Sequence, residues 1–395
     1  MPKARLLLVE PVINPPGGAQ CLAAWALEAL RETYTVDVMT WTPIDFDEIN
    51  RFYGTTLAAK EFKRDSAPRW LDRLVSLDPD SYSFQRAACL MRLAMIRRSR
   101  YNLLVSFMDE VDFHCRAIQY IHFPYLKPHY DTERRLKAIP GLRGRWQTEL
   151  FKHRPWRVIS GFTFKGMQQN ITLANSNWTG AIVKDAYGIE PTTLYPPVPG
   201  DFPSVPWEQR ENGFVCIGRL SGEKRYDSII AILAGVRARG HAIHLHLIGA
   251  VDEQPGSQVY RRQMMEWVDA NADWITLHEN IARAELIELV AHHRYGIHGN
   301  TEEHFGIAVA EMVRGGAVVF VPNGGGQVEI VGEDARLRYD STEKAVEKIS
   351  RVLEDADAQL DLQAKLAERA TLFTPERFMD TLSAFVANHL DHAAR

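Results

Sequence analysis

The apolar residues of this chain fall into short runs of strand length, each followed by a longer stretch of helical period. Near the start, ARLLLVE reads as a buried strand, PVINPPGGAQ as a loop, CLAAWALEALRE as an amphipathic helix and TYTVDVMTW as a second strand. YNLLVSFM (101–108) and AIQYIHF (117–123) are further strands by the same pattern. ITLANSNWTGAIVKDAYG reads as strand, turn and helix, with Ser176 or Asn177 as the N-cap. The alternation stops at LYPPVPGDFPSVPWEQRENG (194–213), where five prolines and two glycines read as a linker. It resumes with GFVCIGRL, YDSIIAILAGVRARG, IHLHLIGA, VYRRQMMEWVDANA, WITLHEN, ARAELIELVAHH, YGIHGN, IAVAEMVRGG and AVVFVPNG. The last stretch, TPERFMDTLSAFVANHLDHAAR, reads as a helix with Thr374 as N-cap and Pro375 in its first turn. By pattern alone it would pack on the second half.

Strand–helix alternation implies parallel sheets covered by helices on both faces. The pattern therefore predicts an α/β chain of two Rossmann-like domains facing a cleft. A length of 395 residues fits, because single cores stop growing near about 250–300 residues. The composition, 46% hydrophobic and 24% charged, is that of a globular protein. No run approaches the roughly 20 apolar residues of a membrane span, and the short LLLV before Glu10 fits a first strand better than a leader peptide. Four scattered cysteines, without CxxC or histidines at zinc spacing, point to a reducing cytoplasm and no structural metal.

Charge is unevenly spread. Residues 1–199 carry 26 Lys and Arg against 20 Asp and Glu, while the remainder carries 20 against 30. Much of the basic excess lies in 133–165, with nine Lys/Arg, two Glu and the interleaved Trp146, Phe151, Trp156 and Phe162. Such a run is usually a solvated face; the alternative is a surface for something anionic, such as a membrane or a lipid diphosphate. Nucleic acid is disfavoured, since the other half is acidic and the excess is modest.

In open α/β sheets ligands bind beyond the carboxyl ends of strands, where helix N-termini point. Three places qualify. Gly17 and Gly18 follow the first strand but lack GxGxxG spacing, so a plain tight turn explains them equally well. In GRLSGEK, Arg219 and Lys224 share one strand-end loop and suit a diphosphate. In EEHFGIAVAE, Glu303 opens a helix whose free N–H groups, about 305–308, face outward, and Glu311 stands two turns on. Glu303 suits a sugar hydroxyl and Glu311 a ribose diol; the alternative is a dipole-favoured acid and a solvated helix position.

Together, GG near the start, YIHFP (120–124), NSNWTG (175–180), YPPV (195–198), GRLSGEK, HENIARAEL, EEHFGIAVAEM and NGGG (323–326) resemble the family-four retaining glycosyltransferases of GT-B fold. Within that family the wording is most similar to α-1,2-mannosyltransferases that extend lipid-linked oligosaccharide using GDP-mannose, although those carry an N-terminal membrane helix. The resemblance implies an N-terminal acceptor-side domain over 1–199 and a nucleotide-sugar domain over 205–377. It also implies a final helix, about 378–395, crossing back to the first domain. It places Arg219 and Lys224 on the donor diphosphate, Glu311 on the ribose, and Glu303 on the transferred sugar. The N–H groups of Phe305, Gly306 and Ile307 would face sugar and phosphate, His122 the donor sugar, and Asn280 and Ile281 the base; Gly17 and Gly18 would also line the donor.

The family reaction needs no metal or other cofactor. DFD (45–47), DPD (78–80) and DAD (355–357) follow no convincing nucleotide-binding strand and are expected to be surface acids. The resemblance implies a nucleoside-diphosphate sugar as co-substrate and a saccharide or lipid-linked acceptor. A sugar-nucleotide epimerase of the same shape and a non-enzymatic two-domain sugar-binding protein are the alternatives.

Overall fold

The computed structural model describes residues 3–75, 82–131, 155–251 and 255–393. They form two compact units, one of 1–197 with 375–395 and one of 198–374.

The first unit is built on seven parallel strands: β1 (Arg5–Val9), β2 (Thr35–Thr40), β3 (Lys63–Ser66), β4 (Leu103–Ser106), β5 (Ile118–Ile121), β6 (Ile171–Ala174) and β7 (Thr192–Thr193). Their order is β3-β2-β1-β4-β5-β6-β7. After Arg5 the run LLLV is apolar at successive positions because both faces of a central parallel strand are covered. Leu6 and Leu8 join one core cluster, Leu7 and Val9 the other. Ser176 caps the helix Asn177–Tyr187, its hydroxyl accepting from the Thr179 N–H at 3.0 Å.

The helix Gly18–Leu30 departs from its amphipathic reading: Cys21 to Leu27 are buried without a break. The cause is the final helix, Pro375–Ala393, whose Phe378, Leu382 and Val386 enter the same cluster as Leu22, Ala26 and Leu30. Ser383 Oγ also donates to Ala29 O at 3.2 Å. The final helix thus belongs to the first unit, as the family resemblance implies and the pattern alone did not.

The second unit carries β8 (Glu211–Arg219), β9 (His244–Ala250), β10 (Ile275–Glu279), β11 (His293–Ile297), β12 (Val318–Pro322) and β13 (Arg338–Tyr339). All pairs are parallel, in the order β10-β9-β8-β11-β12-β13. The proline-rich stretch is not a free linker, because its start is tied into this unit. The Val198 N–H donates to Phe373 O at 2.9 Å, Arg314 donates to Val198 O, and Arg283 Nη2 donates to Pro199 O at 2.8 Å.

Both sheets reverse their strand order once, between β1 and β4 and between β8 and β11. The loops leaving those strands open a crevice at the carboxyl end of each sheet, where doubly wound folds bind ligands.

Leu382 is fully buried in the cluster shared with the first helix. Leu382→Ala is expected to destabilise the first unit by about 2–5 kcal/mol. In urea unfolding, the transition of the first unit should move to lower denaturant while that of the second stays in place.

Candidate active site

In the second unit the reversal point is formed by the loop after β8 and the loop after β11. Gly299 brings them together: a Cβ there would lie 2.7 Å from Lys224 O and 3.2 Å from Arg225 O. On the other side, Gly325 (φ 74°) and Gly324 pack under the β11 loop, with Cβ positions 2.4 Å from Glu303 O and 2.8 Å from Thr301 O. The Gly326 N–H donates to Glu303 O at 2.7 Å, and Gln327 Nε2 donates to Asn300 O at 2.6 Å. Glu303 is therefore held by its own backbone.

Its side chain is held as firmly. Lys224 Nζ donates to Glu303 Oε2 at 2.7 Å, His298 Nε2 lies 3.0 Å from that oxygen, and Asn300 Nδ2 lies 3.3 Å from it. Burial pushes the Glu303 pKa up; the His298 hydrogen bond and the Lys224 ammonium more than offset it, leaving the carboxyl well below the usual range. Burial lowers the pKa of His298, so it is neutral and serves as an Nε2–H donor while Lys224 supplies the positive charge.

Next to this pair, Gly306 (φ 104°) caps the helix Ile307–Arg314. A side chain there would be strained by φ and would crowd Gln327 Cβ at 3.3 Å and Glu303 Cγ at 3.4 Å. The first-turn N–H groups from Ile307 onward lack intrahelical partners and form an anion-favouring end. Phe305 is buried, its ring 5.6 Å from that of Phe373. Two turns along, Glu311 is buried and accepts from Arg283 Nη1 at 2.5 Å. That corrects the solvated-helix alternative.

Arg219 ends β8, largely exposed, with Nη2 donating to Glu223 Oε1 at 2.9 Å. Asn280 follows β10 in a left-handed conformation (φ 52°), its Oδ1 accepting from the Val251 N–H at 3.0 Å; Ile281 comes next, half-buried. Arg219, Lys224, Asn280, Ile281, Glu303, Phe305, Gly306, Ile307 and Glu311 thus all lie at the carboxyl end of the second sheet. Gly17, Gly18 and His122 belong to the first unit.

There, Gly17 (φ 152°) is the N-cap and Gly18 the first residue of the helix. The Tyr53 hydroxyl donates to Gly17 O at 2.9 Å. His122 follows β5, with Nε2 buried and unpartnered; burial lowers its pKa to about 4, so the ring is neutral. Its backbone N–H donates to Asp109 Oδ1 at 2.6 Å, and the Phe123 N–H to the same oxygen at 3.2 Å. Asp109 sits after β4 in a left-handed conformation (φ 63°). Burial raises its pKa to about 7, and the pKa values of its buried neighbours Glu10 and Glu110 are also raised, first by burial and then by the Asp109 charge.

Sequence reasoning missed His298, Asn300, Gln327 and Arg283. His298 and Asn300 were visible only as part of a strand, YGIHGN, and Arg283 only as a helix residue. Asp45 and Asp355 prove to be helix caps, accepting from the Glu48 and Ala358 N–H groups at 3.0 and 2.9 Å. DPD (78–80) lies outside the described residues, as does most of the basic segment, 132–154. Of its aromatics, Phe162 is buried in the first unit's core and Trp156 packs on it, with ring centroids 5.7 Å apart. Those two are therefore packing residues rather than surface anchors.

Residues 199–373 match the family model described as Glycosyl transferases group 1. The match spans all but the first and last residues of the second unit. Relatives of this chain include GDP-Man:Man(3)GlcNAc(2)-PP-Dol alpha-1,2-mannosyltransferases. That of Neurospora crassa is 22% identical over 257 residues, covering 56% of this chain and 46% of the relative. That of Mus musculus is 26% identical over 236 residues, covering 54% and 46%. The chain spans about half the length of these relatives. A glycosyltransferase from Rickettsia africae matches in structure with a TM-score of 0.67 at 13% identity, covering 100% of this chain and 99% of the other. At that identity the likeness is one of fold, the two-domain α/β arrangement of GT-B type.

A carboxyl with a raised folded pKa costs stability once the unfolded chain has ionised. For Asp109 the cost grows as pH rises from the ordinary aspartate range to about 7, and is full above it. Asp109→Asn keeps an acceptor for the two N–H groups and suits the left-handed backbone. It is expected to raise stability by ~1–3 kcal/mol at pH 8, with the gain shrinking towards zero near pH 4. Thermal melts across pH would check this.

Proposed function

We propose that this chain is a retaining glycosyltransferase moving a hexose, mannose favoured, from a nucleoside-diphosphate sugar to a hydroxyl of a saccharide or lipid-linked acceptor. The observation that carries the reading is the Lys224–Glu303 pair, 2.7 Å apart, set beside a free helix N-terminus at a sheet reversal point.

Loss of a diphosphate from a sugar puts negative charge on the leaving oxygens and positive charge at the anomeric carbon. Lys224, Arg219 and the N–H groups of Phe305, Gly306 and Ile307 answer the first; the Glu303 carboxylate answers the second. Because Lys224 and Glu303 are already fixed in a half-buried setting, their charges need little reorganisation during reaction. Glu311 and its partner Arg283 suit the ribose, a part of the donor that does not react. His122, neutral and with Nε2 buried, is assigned to the sugar by resemblance.

The roles of Asp45 and Asp355 as helix caps favour a metal-independent reaction over one using those DxD pairs. GDP-mannose is favoured as donor because the matched relatives are named for it. Their names also favour transfer over epimerisation or simple binding. Docking on an anionic surface through 133–165 belongs to the same reading and rests on that segment's charge.

Two outcomes test it. GDP-mannose at about 100 times its Kd should add about 2.7 kcal/mol of stability, with no magnesium or manganese added. Stabilisation by UDP-sugars alone would reject the donor, and a strict requirement for added magnesium would reject the metal-independent reaction. Glu303→Gln should cut kcat on the order of ten- to hundredfold, while Glu311→Gln should mainly raise the donor KM and lower the melting temperature. Steady-state kinetics on both folded variants would separate the roles; a KM effect for Glu303 and a kcat effect for Glu311 would reverse them.

A further inference from the structure

The second unit holds another cluster of titratable side chains, at the opposite end of its sheet from Lys224 and Glu303. Glu211 opens β8, His244 opens β9 and His293 opens β11, with His246 two residues along β9. The nine residues of β8 separate Glu211 from Arg219, ~26 Å at ~3.3 Å per step.

The distances within the cluster approach those of a coordination shell. His244 Nε2 lies 3.1 Å from His293 Nε2 and 3.4 Å from Glu211 Oε2, and His293 Nε2 lies 3.9 Å from that oxygen. Ligand atoms of His244, His246 and His293 all fall within 4.8 Å of one another. Tetrahedral zinc, with bonds of about 2.0–2.2 Å, needs ligand-to-ligand edges of about 3.3–3.6 Å. The His244–His293 and His244–Glu211 pairs lie near that spacing already, and His246 would close by up to about 1.2 Å to complete the polyhedron.

The rings are also oriented for it. His293 Nδ1 lies 2.6 Å from Leu289 O, so that nitrogen is the donor and Nε2 keeps its lone pair. His246 Nδ1 lies 2.7 Å from His278 Nε2; with Nδ1 as the donor of that bond, His246 Nε2 carries a lone pair for a ligand bond. Gly213 pairs with His244 across β8 and β9, and a Cβ on it would stand 2.2 Å from His244 Nε2. Only glycine leaves the imidazole where it is. The His293 side chain is 2% exposed, that of His244 34% and that of Glu211 60%, so an ion can arrive from the Glu211 side.

We propose that Glu211, His244, His246 and His293 bind one divalent transition ion of the zinc class, tying together the amino ends of β8, β9 and β11. Three imidazoles and a carboxylate suit zinc, cobalt, nickel or copper rather than magnesium or calcium. Four protein ligands make a closed site, so its role is structural. The sequence expectation of no structural metal did not weigh these ligands, which come from three strands that only the sheet brings together.

The test uses the full, untagged chain, stripped with a chelator and dialysed. Zinc titrated calorimetrically should bind at one per chain and raise the melting temperature by several degrees. Cobalt(II) at the same site should give the intense visible absorption of four-coordinate cobalt. His244→Ala should abolish both signals, and Glu211→Gln, at an exposed position, should weaken binding about 10- to 100-fold. If the two rings merely share an N–H···N hydrogen bond, zinc will not bind, or will bind equally to the protein and to His244→Ala. Either result overturns the proposal.

Discussion

The candidate site depends on one close approach. Where β8 and β11 part, two strand-end loops run so near each other that no side chain fits between them at Gly299. That contact turns Lys224 toward Glu303, and the glycine turn at 324–326 supports the same loop from the other side. The cost is backbone freedom surrendered at several glycines; the return is a cation and an anion fixed within 2.7 Å at low exposure. A carboxylate so placed would be costly without its partners, since burial alone disfavours its charge. Lys224, His298 and Asn300 remove that cost together.

Most of the architecture was legible in the chain because parallel α/β folds write themselves as alternating periods. LLLV and VVFVP are apolar at every position, and only strands covered on both faces need that. The single acids and cations of the site were legible too, being polar residues just past such strands. What could not be read was who meets whom. Lys224 and Glu303 were each assigned to the donor, and nothing in their spacing announces that they pair with each other. His298 and Arg283 went unnoticed because one ends a strand and the other begins a helix, and their partners lie elsewhere in the sequence.

Neighbouring residues misled the reading of one pair of aromatics. Trp156 and Phe162 sit among basic residues and so resembled surface anchors, yet their rings pack on the first unit's core. Asp45 and Asp355, expected to be surface acids, are exposed, and each also caps the helix that starts beside it. Local composition describes the neighbourhood of a residue in the chain, whereas packing and capping decide where the side chain points.

The final helix has a consequence for how the protein is made. Its Phe378, Leu382 and Val386 fill a core whose other members include Leu22, Trp25 and Leu30. A ribosome completes the entire second unit before it delivers them. The first unit, although synthesised first, must wait with an apolar flank uncovered until the last residues emerge. A chain stopped just before that helix would therefore injure the first unit while sparing the part nearest the break.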